Sequence, residues 1–195
     1  MFRWVTDVER GDWIADRLGP FGGWVGSVVP RGFDAYARVL HRASDGASVP
    51  DREVTAGFWE GSGWQGAVWL TSAGDEGRAG LPTGAFIDPA VLEGPILDLP
   101  NRRYFLVAGT LDDLAALAIG AATADVTPFN PGSRTPSLLW PDDHAWCVAT
   151  EVDLDSTLVA GSRQLIDAVL ADETLEALEV VEADSLMVDG DQVNP

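Results

Sequence analysis

Residues 145–170 read AWCVATEVDLDSTLVAGSRQLIDAVL, and they carry the clearest pattern of strands and helix in the chain. Apolar side chains alternate with polar or small ones over 145–153, which predicts a half-buried strand, and residues 156–161 follow closely enough to pair with it as a hairpin. Ser162 then precedes a run with one apolar helical face, so it is the expected N-cap of an amphipathic helix. A hairpin followed by a single helix indicates antiparallel pairing with a helix packed on the sheet.

The same kind of pattern occurs upstream. Two apolar runs at residues 95–99 and 104–109 flank a polar Pro-Asn-Arg-Arg turn and predict a second hairpin. Further strands are expected at residues 24–29, 33–41, 54–70 (two short strands) and 178–182, and helices at 12–18 and 111–122. We expect the strands at 24–29 and 33–41 to pair with each other across Pro30-Arg31-Gly32.

Strands therefore outnumber helices, and the regular strand-helix-strand alternation of parallel sheets is missing. These observations predict an α+β fold, built on a mainly antiparallel sheet with a few flanking helices. Neither an internal repeat nor a sharp change in composition marks a domain boundary, so residues 1–195 are expected to form a single domain. The tail from about residue 189 is expected to be loose.

The charge of the chain excludes several partners. The 195 residues include 31 acidic and 12 basic residues, which gives a net charge of −19, and residues 151–195 hold 12 of the acids but one arginine. Nucleic acids and anionic membranes need clustered positive charge, so neither is an expected partner. A basic protein partner fits this surface, whereas a solvated helix face with an acidic tail is the alternative explanation.

The same composition bears on location. The chain lacks a run of about 18 apolar residues, as a membrane-spanning helix requires, and it starts without the apolar segment of a secretory signal. Its single cysteine excludes a disulfide-rich scaffold. We therefore expect a cytoplasmic protein.

The residue types that carry most catalysis are sparse. The chain has two histidines, and its one cysteine, Cys147, falls within a predicted strand, where a buried core residue is expected. Nucleophile elbows, zinc-type Cys-x-x-Cys pairs and P-loops are all missing from the sequence. We therefore predict neither a metal site nor a cofactor and favour a non-enzymatic protein.

Tryptophan is the compositional anomaly, because the chain has eight. Several stand beside acidic residues, a combination found in sugar sites and in protein interaction surfaces. Ordinary packing in a sheet protein is the alternative. The candidate ligand-binding residues are Trp59, Glu60, Trp64, Trp140, Asp142, Asp143 and His144.

Two stretches resemble a family of uncharacterised proteins found in bacteria with GC-rich genomes. They are residues 13–23, which continue through 25–41, and residues 137–157. They cover roughly a quarter of the chain. That family has no assigned activity, so the resemblance implies a soluble bacterial cytoplasmic protein and transfers no catalytic role. The turn Trp140-Pro141-Asp142-Asp143 also resembles small acidic immunity modules.

Three functional hypotheses follow. The first is a non-enzymatic binding or interaction module, immunity-like or regulatory, that holds a basic protein through its acidic surface. The second is a small-ligand protein, for example for carbohydrate, or a hydrolase, in which paired carboxylates divide acid and base roles in an acidic, tryptophan-lined cleft. The third is a structural domain whose oligomer is its function; the sequence leaves the oligomeric state open.

Overall fold

A computed structural model of the chain describes residues 3–40, 53–59, 93–100, 102–111, 136–151 and 153–187, with the backbone alone for residues 53, 58 and 59. The strands in this part of the chain are β1 (Arg3–Val5), β2 (Ala35–Leu40), β3 (Glu53–Trp59), β4 (Leu97–Leu99), β5 (Arg102–Thr110), β6 (Leu138–Pro141), β7 (Cys147–Thr150), β8 (Ser156–Gly161) and β9 (Ala177–Val180). The helices described are α1 (Asp12–Ala15) and α2 (Arg163–Leu170), with 3-10 turns at Val8–Gly11 and Val25–Ser27.

All of these strands belong to one sheet. Their order is β1-β5-β3-β6-β7-β8-β2-β9, and β4 pairs with the start of β5. Every pairing is antiparallel. The structure thus confirms a sheet-dominated, mainly antiparallel fold, in which the described helices are two short segments.

Both hairpins predicted from the sequence are present. β4 pairs with β5, and β7 pairs with β8, so that Ala149 lies opposite Leu158. Both residues are buried, as is Cys147, because the apolar positions of β7 and β8 point to the same face of the sheet. The strands predicted at 33–41 and 178–182 are also confirmed, as β2 and β9.

The core lies on both faces of the sheet. Along β5, Leu106 belongs to the large cluster on one face, together with Trp140, whereas Val107 belongs to a smaller cluster on the other face. The large cluster is completed by Ile14 of α1 and by Val25, so the N-terminal turns cover that face. A strand buried on both sides needs an unbroken apolar run, which β5 has.

Helix α2 covers the second face at β2. Its Ile166 is fully buried against Ala35 and Ala37, which leave room for the helix because their side chains are small. Ser162 is the N-cap, and its hydroxyl accepts a hydrogen bond from the Leu165 N–H at 3.3 Å. The cap predicted from the sequence is therefore confirmed.

The N-terminal helix is shorter than predicted. α1 ends at Ala15 instead of continuing to residue 18, and its N-cap is Gly11. The chain continues in a turn, in which the Leu18 N–H donates to the Ile14 carbonyl at 2.9 Å. Ile14 is still fully buried, as its helical spacing predicts.

The strand predicted at 24–29 is wrong. Residues Val25–Ser27 form a 3-10 turn, because the Ser27 hydroxyl donates to the Trp24 carbonyl at 2.6 Å and accepts from the Trp24 N–H at 3.3 Å. These local bonds satisfy backbone groups that a strand would pair elsewhere. The predicted pairing of residues 24–29 with residues 33–41 is therefore also wrong. Instead, β2 pairs with β8 and β9.

Several predicted segments fall outside the described residues: the second strand of 54–70, the helix at 111–122 beyond residue 111, and the tail from 189. Within the described part, neither helix has the length and apolar character that crossing a membrane requires.

Candidate functional site

The sequence-predicted site centres on the turn that joins β6 to β7. The His144 N–H donates to the Pro141 carbonyl at 3.0 Å, and the Ala145 N–H donates to the Asp143 carboxylate at 3.1 Å. His144 closes the turn with a φ of 53°, in the left-handed region where glycine is usual. A residue other than glycine in this conformation carries a backbone cost, which the contacts around it must offset.

The ring of Trp13 holds the His144 side chain. The His144 imidazole stacks on Trp13, with ring centroids 4.4 Å apart and planes 17° from parallel. Trp13 in turn meets Trp140 edge-on at 6.4 Å and Phe33 at 6.3 Å. The Arg17 guanidinium lies 5.6 Å from the Trp13 ring centre, within cation–π range. The turn is thus fixed to the N-terminal helix by aromatic contacts.

The surroundings of the turn disfavour the charged form of the His144 imidazole. Partial burial lowers the pKa of its imidazole, and the positive charge of Arg17 lowers it further, against the opposing pull of Asp142 and Asp143. Asp142 forms an ion pair with Arg10 at 3.3 Å.

The structure brings together four of the seven predicted residues. Trp140, Asp142, Asp143 and His144 lie in one strand end and turn, but Trp140 is 1% exposed and packs in the core, whereas both aspartates are exposed. Trp59 ends β3, and its side chain lies outside the described residues. Glu60 and Trp64 also lie outside them. A ligand-binding role for this set remains a prediction.

Sequence reasoning did not connect this turn with Trp13, Arg17 or Arg10. Trp13 and Arg17 are four residues apart, the spacing of one helical face, but that pattern does not show which distant turn the face meets. Among the described residues, no group of three or more His, Cys, Asp and Glu side chains could hold a metal ion. The contacts at this turn are those of packing and of a surface ion pair.

A second charged cluster surrounds a small cavity beside β5 and β7. Glu151 is 7% exposed and accepts hydrogen bonds from Arg102, which also donates to Asp153 at 3.1 Å. The hydrogen bonds that Arg102 donates to Glu151 raise the pKa of Arg102, while burial and the Glu151 charge raise the pKa of the Tyr104 hydroxyl. The cavity volume is about 30 Å³, room for water and far below the several hundred Å³ of typical ligand pockets.

The strongest surface feature lies at the far end of the sheet, where β9 is the last strand among the described residues. Residues 172–184 contain six acidic residues and no basic one. Five of the six exposed large apolar side chains of the described residues lie on this segment or next to it: Leu175, Leu178, Val181, Met187 and Trp24. The sixth, Phe21, lines the small cavity beside β5 and β7. We call residues 172–187, with Trp24, the acidic edge.

The two parts of the acidic edge are joined by backbone pairing. Trp24 bridges to Ser185, and the Leu186 N–H donates to the Gly23 carbonyl at 2.7 Å. Met187 lies over Gly23, where a Cβ would come within 2.8 Å of its side chain. The positive φ of Gly23, 73°, also favours glycine at this position. The exposed side chains of Trp24 and Met187 therefore belong to segments that are paired with each other.

Glu182 anchors the acidic edge to the sheet. Its carboxylate accepts hydrogen bonds from the Tyr36 hydroxyl at 2.7 Å and from the Gly32 N–H at 2.8 Å. The same hydroxyl accepts from the Phe33 N–H at 3.0 Å. The bonds from Tyr36 and Gly32 lower the pKa of Glu182. Burial, followed by the bond to Glu182, raises the pKa of Tyr36 to about 12.

Comparison with protein-family models, with curated proteins and with solved structures found no match. The resemblance to uncharacterised bacterial proteins therefore remains a prediction.

Proposed function

We propose that the chain is a single α+β domain that acts as a non-enzymatic interaction module and binds a basic protein partner through the acidic edge. The observation that carries this proposal is the coincidence of two features on one surface. Five of the six exposed large apolar side chains of the described residues lie at the β9 end of the sheet, together with a six-carboxylate segment. An immunity-like or regulatory role is one form that such binding takes.

Apolar exposure gives this surface a reason to associate. Leu178 is 55% and Val181 is 58% exposed, values that are costly for large aliphatic side chains in water. Full burial of one such side chain contributes about 1.5–3 kcal/mol. Contiguous exposed apolar groups with a polar rim are typical of interaction sites.

Charge determines which partner fits. The acidic edge carries carboxylates throughout, so it attracts a basic surface and repels an acidic one. Exposed ion pairs add little affinity singly, but they steer association and select the partner. We therefore assign affinity to the apolar side chains and selectivity to the carboxylates.

The test uses a fluorescent peptide that alternates arginine and valine, titrated with the full-length protein and followed by anisotropy. Leu178→Ser is expected to weaken binding about tenfold, because one buried aliphatic side chain is lost. Glu173→Gln with Glu176→Gln is expected to weaken it about fivefold, from two surface charge interactions.

The matched control removes the same charge at the opposite end of the sheet. Glu9→Gln with Asp98→Asn changes two exposed acids, and Asp98 lies on β4, which pairs with β5 rather than β9. This variant should bind the peptide like the unaltered protein. If it loses as much affinity as the acidic-edge variant, the binding reflects net charge and the proposal is wrong. An undetectable interaction with the unaltered protein has the same meaning.

A further inference from the structure

The backbone of β9 has a free side whose hydrogen-bonding groups can be assigned. The Leu40 N–H donates to the Glu176 carbonyl at 2.9 Å, so Leu40 and Glu176 form a hydrogen-bonded antiparallel pair. Bonded and non-bonded pairs alternate along an antiparallel ladder. The register Arg38↔Leu178 therefore makes the next bonded pair, and Ala177 and Glu179 direct their N–H and C=O groups away from β2.

That outward side is the end of the sheet. Among the described residues, β2 is the one strand that pairs with β9, which stands last in the strand order. Two outward residues offer two N–H and two C=O groups, enough for up to four hydrogen bonds. The free side is short because Asp184 closes it: its carboxylate accepts from the Val181 N–H at 2.8 Å, and its own N–H donates to the Val181 carbonyl at 3.0 Å.

We propose that the basic partner binds by strand addition, as an extended segment that pairs antiparallel with the outward side of β9. This inference rests on the proposed function and specifies its mode. Addition of a strand to an exposed sheet edge is a recurrent form of peptide recognition, in which main-chain bonds give affinity and alternate side chains give specificity. An antiparallel addition continues the pairing found throughout this sheet.

The two faces of β9 differ and so define the pattern of the partner. Glu179 lies on the face of α2, where it pairs with Arg163, and Asp167 of α2 is exposed nearby, 3.7 Å from the same guanidinium. Leu178 and Val180 lie on the other face, Leu178 exposed. Side chains directly opposite each other share a face. The partner segment therefore alternates basic residues, opposite Ala177 and Glu179, with apolar residues on the Leu178 face.

Charge argues against a second copy of the chain as the occupant. Pairing β9 with another β9 would bring two segments of six carboxylates each, with no basic residue, alongside one another. Like charges opposite each other destabilise strand pairs. A basic strand gains the same hydrogen bonds and reverses the sign of the charge interaction.

The experiment compares N-methylated forms of the arginine–valine peptide, because N-methylation removes a backbone donor. Arginine residues lie opposite Ala177 and Glu179 in the proposed register, so their N–H groups point to β9, whereas those of the valines point away. Methylation at two arginines is expected to weaken binding about tenfold or more, and methylation at two valines is expected to leave it within about twofold.

A protein variant tests the same bond from the other side. Ala177→Pro removes an outward N–H at the first residue of an edge strand, a position that tolerates proline, and is expected to weaken peptide binding about fivefold. Ala177→Val keeps that N–H and is the control; urea unfolding establishes that both variants fold.

The outcomes separate the mode of binding from the function itself. Equal affinity for the two methylated peptides overturns strand addition but leaves the acidic edge as a binding surface. Equal affinity of the proline and valine variants, both folded, does the same. If both methylated peptides lose binding equally, the proposed register is contradicted as well. If the unmethylated peptide does not bind, the proposed function and the strand-addition inference both fail. A dimer of the chain that competes with the peptide would replace the basic partner with a second copy and overturn the proposal.

Discussion

Replacing Tyr36 by phenylalanine tests the anchor of the acidic edge. The change removes a hydroxyl that donates to Glu182 and accepts from the Phe33 N–H. Tyr36 is 5% exposed, whereas Glu182 is half-buried, so the bond between them is partly shielded from water. A hydrogen bond to a charged group contributes about 1.5–3 kcal/mol, so Tyr36→Phe is expected to lower the free energy of unfolding by about 2 kcal/mol at neutral pH.

The alkaline range gives the sharper result. The pKa of Tyr36 rises from 10.0 to about 12 on folding, so above pH 10 the unfolded state loses a proton that the folded state keeps. The stabilisation by Tyr36 is complete below pH 10 and falls by about 1.4 kcal/mol per pH unit until about pH 12. Between about pH 9 and 11, the advantage of the unaltered protein over Tyr36→Phe should shrink by about 1.4 kcal/mol.

Urea unfolding of both proteins at several alkaline pH values measures this difference. The chain suits the experiment because it has no lysine and two tyrosines. Tyr104 and Cys147, whose pKa values are raised by burial, titrate in both proteins and cancel in the difference. A gap that stays constant from about pH 9 to 11 would refute the reasoning, because the hydroxyl would then titrate alike in the folded and unfolded states.

Three further predictions concern stability, each measured by urea unfolding. Ser162→Ala should cost about 1 kcal/mol by removing the cap of α2, and Ser162→Gly only a few tenths; equal losses would contradict a capping role. Glu151→Gln should cost about 3 kcal/mol by leaving Arg102 without its buried partner, whereas Asp153→Asn, at the exposed end of the same guanidinium, should cost less than about 1 kcal/mol. His144→Val should be about 1–2 kcal/mol less stable than His144→Asn, because asparagine tolerates a positive φ and a β-branched residue does not; similar stabilities would show that the turn relaxes.

The sequence predicts the elements whose signals are local. The hairpins β4–β5 and β7–β8 and the cap at Ser162 follow from patterns within about twenty residues, because strand periodicity, turn residues and a capping hydroxyl act between neighbours. The strand predicted at 24–29 failed for an equally local reason. Periodicity counts apolar side chains and does not weigh the bonds of the Ser27 hydroxyl to Trp24 against a ladder.

The candidate site was harder to predict because its contacts are distant in sequence. Residues 140–144 are consecutive, so their proximity could be predicted from the sequence. The stacking of His144 on Trp13, in contrast, joins residues that are far apart in the chain. The left-handed conformation of His144 could not be read either, because asparagine or glycine is the usual signal for it. The acidic excess after residue 150 was visible as composition, whereas its place at an open sheet edge depends on the pairing of β9 with β2.

Within the part of the chain that the structure describes, β9 is an edge strand with exposed Leu178 and Val181. Such an edge should by itself promote association with further copies of the chain, since every copy carries the same outward backbone groups and apolar side chains. Two features of this edge oppose that outcome. Asp184 uses the backbone groups of Val181 and so limits the free ladder to two residues, and the carboxylates around it repel an identical strand. Neither feature opposes a short basic segment, because four hydrogen bonds suffice to orient it and its charge is attracted. The features that protect the edge from self-association, Asp184 and the surrounding carboxylates, are therefore the ones that select a basic partner. Screening by salt should weaken the repulsion of an identical strand and the attraction of a basic segment together.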